Sequence, residues 1–460
     1  MKKIIKPGPI NLSNFSGDLD NLEAKFGLPS KVMFCRDCVV SNQRPSTVNE
    51  YEHTKDSKKE TIKFNKNGQC SACQFAEKKK TEIKWKEREE ELLELCNRYR
   101  SKDGQYDCIV PGSGGKDSVF TAHILNTKYG MHPLTVTWAP HIYTEWGWQN
   151  LQSWIKSGFD NYLLTPNAKV HRLLTRLAVE NMFFPFQPFV FGQKSFAPKM
   201  ALLFNIPLVF YGETGAEYGS SIERGSTPHR NKDTYAAKDI DSSFLGGVSI
   251  AELKENYGLE AHDLIPYLPA NSEELFEKKV EVHRLGYYLQ WHPQKCYYYA
   301  VEHCGFQPSP ERTPGTYSKY NSIDDKVDDI YYYTAFIKFG IGRATSDAAQ
   351  EIRSGDITRA EGAALVKRYD GEFPERFADE FFEYISINPK EYPVASKMFE
   401  EPIMDREYFK QIEDHFRSPH IWKYENNKWQ LRNAVWYEEN NGNVDQETEA
   451  SNWTGNVYQV

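Results

Sequence analysis

A short glycine-rich run has the composition of a loop that binds phosphate. Residues 111–118 read Pro-Gly-Ser-Gly-Gly-Lys-Asp-Ser, after a predicted strand and at the start of a predicted helix. Glycines let the backbone approach a phosphate closely, and the amides at a helix N-terminus point at the anion. The residues predicted to bind a nucleotide here are Ser113, Gly114, Gly115, Lys116, Asp117 and Ser118.

The run departs from two better-known phosphate-binding patterns. Lys116 is followed by Asp117 rather than by Ser or Thr, so the Walker A pattern is not met, and neither is G-x-G-x-x-G. Lys116 still adds a compact positive charge, and Ser113 and Ser118 add hydroxyl donors. The alternative interpretation is a glycine-rich turn between strand and helix that binds no ligand.

Carboxylates occupy a second glycine-rich loop, which follows a later predicted strand. Gly212, Glu213 and Glu217 come directly after the apolar run that ends at Tyr211. Carboxylates at the end of a parallel strand can hold magnesium or position an ammonia molecule. We predict that Lys116, Asp117 and Glu213 are catalytic and that Gly212 contacts the nucleotide. Thr137, at the end of another strand, is predicted to lie beside the adenine. Exposed acids on a capped loop are the alternative.

Two cysteine pairs have the spacing of a metal site. Cys35 and Cys38 form one pair, and Cys70 and Cys73 form the other, with 31 residues between the pairs. Four thiolates supply a complete tetrahedral set for structural zinc. This separation is longer than the usual one, so a hairpin or a polar loop must fill it. A redox dithiol pair and an iron–sulfur site are the alternatives.

Basic and aromatic residues cluster in two loops near the predicted helical region. They suit an anionic sugar nucleotide, because guanidinium and ammonium groups pair with phosphates and carboxylates. The candidate substrate-binding residues are Arg312, Tyr317, Lys319, Tyr320 and Arg343. An acidic run follows at 324–329, and its charges are interpreted either as part of the site or as helix N-terminal charges that favour the dipole.

Alternating strands and helices must position these residues. Strands are predicted at 106–110, 134–138, 160–164, 208–211 and 282–291. Helices are predicted at 77–100, 116–129, 145–157, 168–181, 294–304, 323–339, 345–354 and 359–369, with another ending at 199–204. This alternation predicts a doubly wound parallel sheet, which binds ligands at the carboxyl ends of its strands.

The chain divides into six predicted regions. They are an N-terminal arm at 1–30, a zinc-ribbon-like domain at 31–76, a connecting helix at 77–100, the nucleotide-binding domain at 101–310 with an irregular insertion at 215–275, a helical substrate-proximal region at 311–390 and an α+β appendage at 391–460. The appendage includes a predicted hairpin around Asn426–Asn427.

Composition narrows the class of protein. The net charge is −8, which disfavours nucleic acid as the main partner because such proteins normally carry a basic balance. Eight cysteines among 460 residues do not make a disulfide framework. No signal peptide or membrane span is predicted, so we expect a cytoplasmic protein that does not insert into membranes.

These motifs together resemble a known family. The loop at 113–118 is similar to the Ser-Gly-Gly-x-Asp-Ser loop of PP-loop ATP pyrophosphatases. The whole set resembles the N-acetyl sugar amidotransferases of bacterial lipopolysaccharide, O-antigen and nonulosonic-acid biosynthesis. The resemblance spans roughly 31–370 and rests on residues 33–45, 68–73, 113–118, 213–219, 316–321 and 338–345.

The resemblance implies a fold, an activity and partners. The fold is a PP-loop sheet with a zinc ribbon and a helical extension. The activity is ATP-dependent conversion of a sugar acetamido group to an acetamidino group, with Mg²⁺, a glutaminase subunit and a cyclase-like subunit that channels ammonia. A PP-loop tRNA-modifying enzyme of the thiolase type and a non-catalytic zinc-ribbon interaction protein are the alternatives.

Overall fold

A five-stranded parallel sheet organises the protein. The computed structural model describes residues 3–17, 21–45, 53–54, 56–218 and 226–437. The strand order is β3-β2-β1-β4-β5, and every neighbouring pair is parallel. The strands are β1 (Cys108–Pro111), β2 (Pro133–Trp138), β3 (Asn161–Leu164), β4 (Leu208–Tyr211) and β5 (Glu281–Arg284). The predicted parallel sheet is confirmed.

Helices follow the strands and continue into the C-terminal half. They are α1 (Ser71–Thr81), α2 (Trp85–Tyr99), α3 (Lys116–Thr127), α4 (Glu145–Lys156), α5 (Ala168–Met182), α6 (Gln187–Phe204), α7 (Ile250–Tyr257), α8 (Ala261–Leu264), α9 (Ser272–Glu277), α10 (Leu285–Tyr288), α11 (Pro293–Cys304), α12 (Val327–Phe339), α13 (Arg343–Ser354), α14 (Arg359–Tyr369), α15 (Ala378–Ile385) and α16 (Arg406–Phe416). Short 3₁₀ turns lie at Leu12–Phe15, Lys25–Gly27, Gly215–Tyr218, Lys232–Thr234, Glu375–Phe377 and Ala395–Met398.

The two faces of the sheet bury different sets of side chains. Ile109 and Val209 face one core, which includes α5 and α6. Val110 and Phe210 face the other core, which includes α3 and α11. Successive side chains of a strand point to opposite faces, so residues 108–110 of β1 and 208–210 of β4 are apolar on both faces of the sheet. This explains why these strands read as continuous apolar runs rather than alternating ones.

Two predicted elements differ from the structure. Residues 77–100, predicted as one helix, form the end of α1 and the whole of α2, with a break around Lys84. The break is needed because α1 contacts the turn at 215–218 while α2 contacts α10. The strand predicted over 282–291 ends at Arg284 and continues as α10.

The predicted irregular insertion is more regular than expected. Residues 219–225 lie outside the described residues, but 226–275 contain α7, α8, α9 and short strands at Ala236–Ala237, Phe244–Leu245, Val248–Ser249 and Ala270–Asn271. Leu245, Leu253 and Tyr267 are buried and join the core beside α5 and α6. The segment is therefore a packed layer, and polar composition alone did not reveal it.

The chain ends and the C-terminal region pack together. Ile4 pairs with Phe399 in a parallel bridge, which attaches the N-terminal arm to the appendage. The predicted hairpin is present as β6 (Trp422–Glu425) and β7 (Lys428–Leu431). The Trp422 indole donates to the Ile337 carbonyl of α12 at 2.7 Å. The appendage residues 438–460 lie outside the described residues.

None of the described helices has the length and apolar character needed to span a membrane.

Backbone crowding makes Gly114 indispensable. Its φ is +84°, and a Cβ there would lie 2.6 Å from the Leu151 amide nitrogen and 2.7 Å from the Asn150 carbonyl carbon, both in α4. At Gly115 the nearest atom to a Cβ is 3.8 Å away and φ is −69°. We expect Gly114→Ala to lower the free energy of unfolding in urea by roughly 1–3 kcal/mol.

The control is Gly115→Ala, which should unfold at nearly the wild-type urea concentration. Equal midpoints for the two variants would contradict this account of the loop.

Candidate active site

The glycine-rich loop lies where the sequence predicts it, between β1 and α3. Gly115 is the residue before the first turn of α3, and the Ser118 hydroxyl donates to the Gly115 carbonyl at 2.9 Å. A Cβ on Gly112 would lie 2.1 Å from the Ser118 Cβ. The amides of the α3 N-terminus therefore open at the carboxyl edge of the sheet, which suits a phosphate.

A buried lysine and two carboxylates meet beside this loop. The Lys116 ammonium lies 2.6 Å from Asp117 Oδ2, and the Lys116 side chain is only 7% exposed. Burial is the largest single effect and acts to lower the pKa of Lys116, but the charge and hydrogen bond of Asp117, together with the nearby Cys296 and Glu213, outweigh it, so the pKa lies above its usual value. Asp117 Oδ1 is buried and has no hydrogen-bond partner among the described residues. That oxygen is available to a cation.

Glu213 completes the group from the end of β4. Burial raises the pKa of the Glu213 carboxyl, and the nearby charge of Asp117 raises it further. Gly212 precedes it, and a Cβ there would lie 2.9 Å from the Trp291 ring. The Gly212 carbonyl accepts the Gly286 amide at 2.9 Å. The loop that carries Glu213 is therefore packed against the Trp291 ring and hydrogen-bonded to α10 through Gly286.

Thr137 lies at the end of β2, with its side chain turned into the sheet. Its hydroxyl oxygen accepts the Asn161 side-chain amide at 2.9 Å, and the residue is fully buried. Only its main chain is placed to meet a ligand at the carboxyl edge of the sheet.

The predicted substrate residues separate into buried and surface groups. Arg343 is buried: its guanidinium lies 3.9 Å from the Tyr332 ring centroid and donates to Asp347 and Ser322. Tyr317 and Tyr320 are half-buried: the Tyr317 hydroxyl donates to Glu351 at 2.7 Å, and the Tyr320 ring stacks on Tyr297. Burial raises the pKa of Glu351 to about 7.

The remaining two residues lie at the surface. Arg312 makes a paired contact with both carboxylate oxygens of Glu372, at 2.6 and 2.8 Å. Lys319 donates to the Pro310 carbonyl at 2.9 Å from an exposed position. The structure therefore does not bring Arg312 and Lys319 together with Arg343 in one buried site.

An acidic segment reaches the glycine-rich loop from the C-terminal region. Asp324 lies close enough to Ser113 for their side chains to interact, and a Cβ on Gly147 would lie 2.4 Å from the Asp324 Cα. Burial raises the pKa of Asp324. Asp325 accepts the His141 main-chain amide and ring Nδ1–H, both at 2.7 Å. Sequence reasoning noted the acidic run but did not identify His141, which carries no local motif.

The four cysteines converge as predicted. The Cys35 and Cys73 sulfurs are 3.8 Å apart, as are those of Cys38 and Cys70, and all four lie within 4.8 Å of one another. A tetrahedron with metal–sulfur bonds of about 2.3 Å has edges of about 3.8 Å. All four are buried, so the cluster can hold a metal such as zinc. A strand-built ribbon is not seen: the described part of 31–76 contains only isolated bridges and α1.

Cationic residues connect the cysteine cluster to the loop that carries Glu213 and Glu217. The Arg353 guanidinium lies 3.9 Å from the Cys38 sulfur and donates to the Glu217 carbonyl at 2.8 Å. Lys79, on the helix that begins at the second cysteine pair, contacts the Glu217 carboxylate at 2.6 Å. Arg359 donates to the carbonyls of Cys35 and Cys38. The cysteine cluster therefore supports the chain just beyond Glu213.

The fold and this site define a class: an α/β protein with a glycine-rich helix N-terminus and a lysine–carboxylate group at the carboxyl edge of its parallel sheet, an arrangement that suits a phosphate-bearing ligand. Within it, residues 314–435 match the family model described as "LPS biosynthesis protein WbpG-like, C-terminal domain". The C-terminal part is thus similar to a lipopolysaccharide biosynthesis family. The match continues past 370, where the sequence resemblance ended.

Two further comparisons with known proteins do not assign a family or a fold to this chain. No curated protein matches the chain. The NMN synthetase of Francisella tularensis aligns at 11% identity over 60% of this chain and 94% of that one, with a TM-score of 0.23. A superposition with that score does not define a shared fold.

The cysteine cluster makes a direct prediction. Metal analysis of the purified protein should give about one zinc per chain at this cluster, because four thiolates fill a tetrahedral ion and leave no open position. Cys70→Ser should lower the zinc content and the melting temperature. Cys304→Ser, a buried cysteine outside the cluster, should keep the zinc. An iron–sulfur absorption band would show that the metal assignment is wrong.

Proposed function

We propose that this protein is an ATP-dependent amidotransferase that converts the acetamido group of an activated sugar into an acetamidino group. The observation that carries the proposal is the contact between Asp324 and Ser113. It joins the glycine-rich loop to the segment 314–435, which is similar to a lipopolysaccharide biosynthesis domain. A nucleotide site at the glycine-rich loop would then adjoin the region that is similar to a lipopolysaccharide biosynthesis domain.

The reaction has two steps. An amide oxygen is a poor leaving group, so ammonia does not displace it directly. The acetamido oxygen first attacks the α-phosphorus of ATP, and pyrophosphate leaves. Ammonia then adds to the carbon of the resulting imidate, AMP departs with the oxygen, and the amidine remains.

The residues at the carboxyl edge match the needs of these steps. The loop at 113–118 would hold the pyrophosphate portion, and Lys116 would offset the charge that develops as it separates. Mg²⁺ would be held through Asp117, whose buried Oδ1 is unpartnered among the described residues, and would supply further charge neutralisation. Glu213, with its raised pKa, is suited to accept a proton from the incoming nitrogen.

Arg343 is proposed to position the substrate-binding region and not to pair directly with the substrate, because its guanidinium already has partners within the protein. Its contacts with Asp347, Ser322 and Tyr332 fix the start of α13. The anionic part of the sugar nucleotide would meet Arg312 and Lys319 at the surface. The sugar itself would then extend inward toward the loop.

The remaining cysteines disfavour the thiolase alternative. Cys96, Cys108, Cys296 and Cys304 are all buried. Of the four, Cys296 is the cysteine whose pKa is affected by both Asp117 and Lys116. Burial raises the pKa of its thiol, the charge of Asp117 raises it further, and the charge of Lys116 acts to lower it. A buried thiol with a raised pKa is a poor nucleophile.

The test of function is AMP release. Candidate UDP-, GDP- and CMP-linked acetamido sugars are incubated with ATP and ammonium, and products are read by mass spectrometry. The expected product differs from its precursor by replacement of oxygen with NH. AMP release that depends on tRNA instead of a sugar would support the thiolase alternative.

Lys116 gives the sharpest mutational prediction. Lys116→Ala should reduce AMP formation by roughly 10²–10³-fold, or about 3–4 kcal/mol, because a preorganised contact to the developing charge is lost. Its melting temperature should stay close to wild type, since the helix N-terminus remains. Lys116→Arg should restore little activity, because a planar guanidinium is bulkier than the Gly114–Gly115 turn admits.

The matched control is Lys156→Ala, an exposed lysine on α4, which should leave AMP formation unchanged. Full AMP-forming activity in Lys116→Ala would overturn the assignment of the loop.

The nitrogen source gives a separate prediction. The chain alone should turn over with high concentrations of ammonium but not with glutamine. Glutamine should serve only when a glutaminase partner is added, together with a cyclase-like subunit that channels ammonia. Glutamine hydrolysis by the isolated chain would contradict this division of labour.

A further inference from the structure

A second group of metal-ligating side chains lies at the outer edge of the sheet, away from the cysteine cluster. His229, Glu281 and His283 each place one ligand atom within 4.8 Å of the other two. Glu281 and His283 are both on β5, and His229 belongs to the segment that runs beside it. The mechanism proposed above uses none of the three.

The backbone fixes this arrangement. The Arg230 amide donates to the Val282 carbonyl at 2.8 Å, and the Arg284 amide donates to the Pro228 carbonyl at 2.9 Å. His229 and His283 therefore face each other in the antiparallel bridge between these bonds. In that position opposed side chains come closest, and residues two apart on a strand share a face. Glu281 is thus on the same face as the two imidazoles.

Neighbouring groups orient each ligand. His283 Nδ1 lies 2.8 Å from the Tyr288 hydroxyl, which leaves Nε2 directed at Glu281 Oε2, 2.9 Å away. Tyr99 lies close enough to Glu281 for their side chains to interact, and an Arg98 nitrogen lies 4.0 Å from Glu281 Oε1. The His229 ring centroid is 4.5 Å from that of His283. Such partners of the second ring nitrogen and carboxylate oxygen are typical around metal ligands.

We propose that His229, Glu281 and His283 form a second Zn²⁺ site. Two imidazoles and a carboxylate are a recurrent zinc set with one position left for water. Ligand atoms on a tetrahedral zinc with bonds of about 2.0–2.1 Å are about 3.3–3.4 Å apart, so the pair at 2.9 Å needs to open by only a few tenths of an ångström. When the metal binds Nε2, the single proton of the neutral His283 ring is carried on Nδ1, which then donates to the Tyr288 hydroxyl oxygen.

The ion clamps the segment at 226–230 to β5. This segment is the described chain that returns to the sheet after the Glu213 loop. The clamp therefore fastens the early part of the insertion to the edge strand. Zinc binding at this site requires no contact with the nucleotide. The zinc proposal can therefore be tested independently of the amidotransferase proposal.

The experiment counts zinc in the purified full-length chain. Protein is equilibrated with excess ZnCl₂, desalted, and assayed for zinc and protein. Wild type should hold about one equivalent more than His229→Ala or Glu281→Gln, because each replacement removes one of three protein ligands. His229 is exposed, so its replacement should leave the fold intact, as checked by the melting temperature without added zinc.

The matched control is His262→Ala. His262 is an exposed histidine that lies 3.4 Å from Glu260 and 3.4 Å from Asp263, but among the described residues it is not part of a converging group of three. This variant should bind as much zinc as wild type. Added ZnCl₂ should also raise the melting temperature of wild type and of His262→Ala but not of His229→Ala. Equal zinc content in wild type and His229→Ala would overturn the proposal.

Discussion

The burial of Lys116 governs how the rest of the site is arranged. An ammonium removed from water costs several kcal/mol unless opposite charges and hydrogen bonds surround it. Asp117 supplies the nearest charge at 2.6 Å, and Glu213 adds a second carboxyl from another strand. The strands β1 and β4 must therefore be adjacent, as they are. Their pairing brings the two loops to a common edge before any ligand is present.

The cysteine cluster is part of the same arrangement. Its helix α1 carries Lys79 to Glu217, and Arg353 touches both Cys38 and the Glu217 carbonyl. A tetrathiolate centre around a divalent metal is doubly negative, so nearby arginines also balance its charge. A metal at this position would thus stabilise the turn at Gly215–Tyr218, which follows Glu213.

The sequence predicted the local features well and the distant contacts poorly. The strand at Leu208–Tyr211 and the helix at Arg359–Tyr369 have the predicted bounds, because apolar runs and end signals are local. The cluster of four cysteines was evident from spacing. The break near Lys84 was not predicted, because the charged residues on both sides of it favour a helix and give no local signal for where that helix is interrupted. The contact of His141 with Asp325 joins positions 184 residues apart, and no periodicity marks such a pair.

The order of these contacts along the chain bears on how the protein matures during synthesis. Arg353 lies 315 residues after Cys38, which it covers, and Asp324 comes long after Ser113, near which it lies. Ribosomes add roughly 5–20 residues per second. For tens of seconds, then, the nascent chain holds a cysteine cluster and a glycine-rich loop without their C-terminal covers. Early metal capture by the cysteines would protect the thiols over that interval, and the ligand site would be completed only near the end of translation.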